Sequence, residues 1–274
     1  MTIVNLELVK RLFRRPSSKL APGTLAFACN ICGAHNDCLA LTILREGGAC
    51  NNCGATLRFR SLAAALTQRL FGVAAILDEL DAHRDIRGVG MSDALCYSTR
   101  LSSRFDYTNT FFHCEPFLDI TKPGEHWIGT NDFVISSDVF EHVAPPIQRA
   151  FDNMAALLKP GGVAIFSVPY SLENDTHEHF PNLHEFNTRE ESEGVWVLDN
   201  VTVQGQVEKF RNLAFHGGPG TTLEMRLFSL AALRHHFEEA GFVDFRVHND
   251  MLFAHGIFWL QPWGVTISAM RPQS

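Results

Sequence analysis

The chain has 274 residues, 46% hydrophobic and 19% charged, a balance that excludes a disordered polymer and suffices for one large domain with a small appendage. No run of eighteen apolar residues occurs, and the start, MTIVNLELVKRLFRRPSS, carries its charges after its apolar residues with no small-residue cleavage site. The expectation is therefore a cytoplasmic protein with no spanning helix and no secretory signal. The net charge is −7, but residues 1–72 hold nine Lys and Arg against three acids, which leaves −13 for the rest. A basic front on an acidic body serves a nucleic-acid or membrane contact, or docks on its own body; the single spacing of the basic residues favours docking.

Residues 1–24 read as a basic arm or helix. In residues 25–60, CNICG at 29–33 and CNNCG at 50–54 give two C-x2-C pairs separated by seventeen residues. That spacing suits one tetrahedral four-thiolate zinc ion held by Cys29, Cys32, Cys50 and Cys53. A tight turn aims both sulfurs of a pair at one ion, and Gly33 and Gly54 let each turn close. Two disulfides are the competing reading, which a cytosolic chain of this size does not need. A four-cysteine site has no open position, so the metal, one per chain, is expected to be structural. Cys38, Cys96 and Cys114 fall outside the pattern.

RSLAAALTQRLFG follows, with Leu62, Leu66 and Leu70 at helical spacing and Gly72 as a stop, within connecting helices over 61–83. From residue 84 strand and helix signals alternate. DIRGVG, YTNTFFHCE (107–115), DFVISSDVF (132–140) and GVAIFSVP (162–169) read as strands. PPIQRAFDNMAALL places Ile147, Phe151, Met154 and Leu158 on one helical face, which makes this region βαβ with a parallel sheet. GVWVLDNVTVQGQVEKF (194–210) alternates like a hairpin with Asp199 and Asn200 at the bend. Ser229 can cap LAALRHHFEEA before Gly241 ends it, and FVDFRVH and GVTISAM close the chain as strands.

The stretch DFVISSDVFEHVAPPIQRAFDNMAALLKPGGVAIFSVPY, 132–170, resembles the fourth and fifth strands of class I S-adenosylmethionine-dependent methyltransferases, in which VLEHV ends a strand and LLKPGG turns into the next. Cysteine knuckles, then RFRSL, then such a domain also resemble a bacterial methyltransferase-like family. The resemblance implies an α/β, Rossmann-like sheet with helices on both faces over 84–274, preceded by the zinc ribbon and interrupted by a lid and hairpin at about 171–228. It also implies S-adenosylmethionine as cofactor. On the family pattern Gly88 and Gly90 form the G-x-G of the first strand, with Arg87 where the family often carries an acid. Glu115 is the candidate for the ribose, with His113 competing for that register. Asp119 resembles the acid that meets the adenine amino group, and Ser136 and Ser137 offer backbone groups near the methionine end.

Methyl transfer often needs a base. His142, after the fourth strand, has the ordinary pKa for it, with packing or helix capping as the other reading. PYSLENDTHEHFPNLHEF, 169–186, brings His177, His179 and His184 to the rim of the site. It reads as a lid, as a base, or as a second metal site. His216 and Glu224, in a glycine-rich loop at 215–229, are further candidates. The reading is a methyltransferase of a small-molecule or sugar-containing acceptor. The alternatives are an RNA methyltransferase that grips phosphates with its ribbon, against which the acidic body argues, and a noncatalytic binding protein on the same fold.

Overall fold

The computed structural model describes residues 23–273; the basic arm over 1–24 lies almost entirely outside them. The ribbon opens with the antiparallel pair β1 (Thr24–Ala28) and β2 (His35–Leu39). Helix α1 (Leu57–Phe71) follows and ends where expected, at Gly72 with φ +78°. Leu62 and Leu66 are buried and face the body. The ribbon is not a separate bead: Leu25, Phe27, Ile31 and Ile43 share one apolar cluster with Leu62 and Leu66 of α1 and with Phe105, Phe133 and Ile165 of the main sheet.

The body contains β3 (His83–Met91), α2 (Leu95–Arg104), β4 (Phe105–Thr110), β5 (Asn131–Ser137), α3 (Gln148–Leu157) and β6 (Leu158–Ser167). An insert of short strands follows: β7 (Tyr170–Ser171), β8 (His177–Glu178), β9 (Glu185–Ser192), β10 (Val195–Val201), β11 (Val207–Phe210), β12 (Phe215–His216), β13 (Thr222–Leu223) and β14 (Arg226–Ser229). Helix α4 (Leu230–Glu239), β15 (Val243–Val247) and β16 (Ile267–Met270) complete the fold. The main sheet has the order β15-β16-β6-β5-β3-β4, with β4, β3, β5 and β6 parallel and the last two strands antiparallel. From β3 the chain first moves outward to β4 and then crosses to β5 on the other side. The strand order therefore reverses between β3 and β5, and in such sheets ligands bind beyond the carboxyl ends of the strands at that crevice.

Several expectations are corrected. The strand expected over 107–115 runs only to Thr110, and past it the chain makes a single bridge, Phe111 to Phe117. Helix α2 is short and mostly polar, burying only Tyr97, Ser98 and Leu101, and the sequence reading missed it. The hairpin bend is not at Asp199 and Asn200, which lie inside β10 opposite Lys209 and Glu208. The turn is at 202–206, where Gly205 supplies the positive φ of +78°, Thr202 N donates to Gln206 O and Thr202 Oγ1 accepts from Gln206 N. Asn200 is buried instead as an internal tie, donating to Asn182 O and Glu208.

Ser229 does cap α4, its hydroxyl accepting from Ala232 N at 3.0 Å while donating to Asn174 O. Ser229→Ala removes both bonds, and we expect a loss of about 1 kcal/mol, read as a fall in Tm of about 2–4 °C.

Candidate functional site

The two cysteine pairs converge. Each knuckle repeats one pattern: Gly33 N donates to Cys29 O and Gly54 N to Cys50 O, both at 2.8 Å, with φ +72° and +75° at the two glycines. All four sulfurs lie within 4.8 Å of one another. The Cys29–Cys53 separation is 3.8 Å and Cys32–Cys50 is 3.7 Å, so neither pair is a disulfide. A tetrahedron with bonds of about 2.3 Å has edges of about 3.8 Å, so donor set and spacing fit a zinc-class ion. Asn36 donates to Cys50 Sγ at 3.4 Å. Arg60, fully buried, donates to Gly48 O, Ala55 O and Gly256 O and lies over the Phe27 ring, which ties the thiolate cluster to the C-terminal segment.

Every described basic residue of the ribbon and α1 turns inward. Arg45, only 9% exposed, pairs with Asp138 and donates to Ser167 Oγ at 2.8 Å and Gly264 O at 3.2 Å. Arg58 donates to Ser137 Oγ at 2.6 Å, lies 3.3 Å from Asp138 and pairs with Glu46. Arg69 pairs with Asp244 at 2.6 Å and bonds Ser268 Oγ. The ribbon thus docks on its own acidic body, and its arginines land on the carboxyl ends of β5 and β6, beside the crevice.

At the crevice itself both first-strand glycines lie within β3. A Cβ on Gly88 would fall 2.1 Å from the Phe133 ring, and one on Gly90 would fall 2.0 Å from both Asp93 Oδ2 and Tyr107 Oη. The glycine at 90 therefore makes room for a buried carboxyl that the sequence reading did not select. Asp93 accepts from Tyr97 Oη at 2.6 Å and from Tyr107 Oη. Burial pushes its pKa up to about 7 against the pull of the two tyrosines and Arg58. Ser92 and Asp138, directly after β3 and β5, both hold left-handed backbone, φ 56° and 54°. For side chains other than glycine this costs energy and persists where neighbours enforce it. The neighbours here are Thr110 O accepting from Ser92 N, and the two arginines on Asp138. Ser136 is fully buried and its hydroxyl has no hydrogen-bond partner among the described residues. Glu115 is exposed beyond β4, accepting from Phe117 N, and Asp119 holds Thr121 N and Oγ1 in a turn.

The four histidines singled out from the sequence come together. His142 and His216 meet edge to face at 4.6 Å, His179 and His177 at 5.1 Å between ring centres, and Glu224 joins the two pairs. Its carboxylate oxygens lie 2.8 Å from His179 Nε2 and 3.0 Å from His216 Nε2. His142 Nδ1 is 2.8 Å from Leu223 O. A carbonyl only accepts, so Nδ1 carries the proton and Nε2 presents its lone pair; burial lowers the pKa of this histidine and keeps it neutral. His184 stays outside, its backbone N–H donating to Asn200. Glu141, 1% exposed, has neither carboxylate oxygen hydrogen-bonded among the described residues, and burial, then the charge of Asp138, push its pKa well above the carboxylate range.

A family described as methyltransferase domain matches residues 32–246. The chain belongs to that family. Over 82 residues it is 32% identical to the ubiquinone biosynthesis O-methyltransferase of Coxiella burnetii, covering 30% of this chain and 33% of that protein. The match thus spans about a third of that relative's length. Among solved structures, it is similar to the 1,6-didemethyltoxoflavin-N1-methyltransferase of Burkholderia thailandensis (12% identity, 77% of this chain, 78% of that one, TM-score 0.41). It is also similar to the amino pentose methyltransferase CalS10 of Micromonospora echinaspora (14% identity, 80% and 92%, TM-score 0.42). The fold is the class I methyltransferase sheet that the sequence implied. Among the described residues no helix is long and apolar enough to cross a membrane.

The buried Asp93 makes a prediction about pH. Its folded pKa of about 7 lies above the unfolded value, so the folded state binds the extra proton and this group's contribution falls as pH rises from about 4 to about 7. At about 1.4 kcal/mol per unit the full effect approaches 4 kcal/mol. Denaturant unfolding across that window should show the wild type losing stability relative to Asp93→Asn; parallel profiles would remove the burial argument.

Proposed function

We propose that the protein is an S-adenosylmethionine-dependent methyltransferase acting on a small-molecule or sugar-containing acceptor, with structural zinc in its ribbon. The observation that carries this reading is the convergence of His142, His179 and His216 with Glu224 beside the β3–β5 crevice, in a chain of the methyltransferase-domain family. The cofactor supplies a methyl group on a sulfonium, a good leaving group. The residues to hold it are Gly88, Gly90, Ser136 and Ser137 along the crevice, with Glu115 and Asp119 on the β4 side.

The base is His179. Glu224 accepts from its Nε2 at 2.8 Å, which orients the ring and leaves Nδ1 to take the acceptor's proton. His177 flanks it, and the insert over β7–β14 closes over the group as a lid. His142 and His216 line the inner side of the same wall. Glu224, the carboxylate of this rim that no arginine pairs, favours a cationic sulfonium and disfavours a polyphosphate acceptor. Among the described residues, the arginines that an RNA-binding ribbon would offer to phosphates are committed to Asp138, Asp244 and backbone carbonyls, which favours the small-molecule reading over the RNA one.

Calorimetric titration with S-adenosylmethionine and with its demethylated product tests the proposal. We expect binding of both, and no binding of either would leave only the noncatalytic reading. With an acceptor in hand, His179→Ala should lower kcat by about 10²–10⁴-fold with cofactor affinity unchanged, and full turnover would move the base elsewhere. Thiolate-bound zinc should amount to one per chain, and Cys53→Ser should abolish it. Because Arg45 and Arg58 reach Asp138 only from a folded ribbon, the same variant should also weaken cofactor binding.

A further inference from the structure

The inner wall of the histidine cluster has a feature that proton transfer does not use. Glu141 is buried in the turn over 140–142 that follows β5, and among the described residues neither of its carboxylate oxygens has a hydrogen-bond partner. An unpaired carboxyl in such a place costs energy unless a cation or donor meets it. What faces it is a pair of imidazoles: Glu141 Oε1 is 3.9 Å from His142 Nε2, and His142 stacks edge to face on His216. One oxygen of Glu141 and one ring nitrogen from each histidine all lie within 4.8 Å of one another.

We propose that Glu141, His142 and His216 form a second metal site, for a divalent ion of the iron, cobalt or zinc class, at the edge of the substrate crevice. Two imidazoles and one carboxylate suit that class and leave coordination positions open. Ligand bonds of about 2.0–2.2 Å bring donors to about 3–3.5 Å from one another, so the triad closes on an ion by small side-chain rotations. The tautomer is already set. Leu223 O accepts from His142 Nδ1, which turns Nε2 outward as the ligand atom, the arrangement that carbonyl partners impose on metal-bound histidines. Glu224 adjoins the triad through His216 Nε2 at 3.0 Å and adds a carboxylate at its rim. Arg45 and Arg58 are committed to Asp138 and Glu46, and the fully buried Arg226 donates to Phe140 O and Val143 O, so among the described residues none of these arginines hydrogen-bonds the Glu141 carboxyl. The open positions face an oxygen-bearing ligand, water or a hydroxylated acceptor. The site is distinct from the four cysteines in donor type, and it stands whether or not the chain transfers methyl groups.

Cobalt(II) is the probe, titrated into full-length protein that carries one zinc per chain in its four-cysteine site, without cofactor, and followed by calorimetry and visible absorption. We expect one further equivalent per chain, with a d–d spectrum that lacks thiolate-to-cobalt charge transfer. Glu141→Gln, which keeps the side-chain shape, should weaken that equivalent beyond the roughly 10–100-fold typical of losing an outer-shell partner. His216→Asn, at a half-exposed position where folding is not at stake, should do the same. His184→Ala, outside the cluster, should leave it intact. No further equivalent in the wild type, or one that survives both Glu141→Gln and His216→Asn unchanged, overturns the proposal.

Discussion

The contact on which the rest depends is the grip of Arg45 and Arg58 on Asp138. Asp138 follows β5 in left-handed backbone, a conformation that a side chain of its kind keeps only under restraint. The restraint comes from 93 residues away in sequence, from the ribbon. Arg45 is nearly buried and spends its donors on Asp138, Ser167 and Gly264. Removing one partner of such a pair costs about 3–5 kcal/mol when the other charge is left bare; here Arg58, 3.3 Å from Asp138, would absorb part of that loss. The cysteine knuckles therefore do more than fold a small module. They fix the segment between the two C-x2-C pairs, and that segment sets the shape of the crevice rim.

Charge follows from this arrangement. Three carboxyls stand near the ends of β3 and β5, and each is treated differently. Asp138 is ion-paired. Asp93 is held by two phenol hydroxyls, and burial moves its titration towards neutrality. The Glu141 carboxyl has no hydrogen-bond partner among the described residues. Burial without a partner is the costliest of the three, and its persistence in a chain this well packed argues for function in place of structure.

Much of this was legible in the sequence. The cysteine spacing announced the ribbon, the DVFEHV and KPGG stretches announced the sheet, and the four histidines proved to be neighbours. Spaced apolar residues marked α1, α3 and α4, although α1 is buried on every side over 60–67. Helix α2 was missed since LCYSTRLSSR buries only Tyr97, Ser98 and Leu101. The hairpin bend was misplaced because Asp-Asn reads as a turn pair, while Asn200 serves a buried hydrogen-bond role. Arg45, Arg58, Asp93 and Asp138 were passed over for a deeper reason. Each acts through a partner distant in the chain, and nothing local distinguishes a docked arginine from a solvated one.

The charge asymmetry illustrates the same limit from the other side. A surplus of positive charge at the front and a deficit behind is compatible with an outside anion or with self-docking, and only geometry separates them. In the folded chain Arg45, Arg58, Arg60 and Arg69 all end on acids, hydroxyls or carbonyls of their own protein. Releasing them to bind phosphate would strip the partners from Asp138 and Asp244 and break the seam between ribbon and sheet. The basic surface and the integrity of the crevice are thus alternative uses of the same side chains, and the fold has committed them to the crevice.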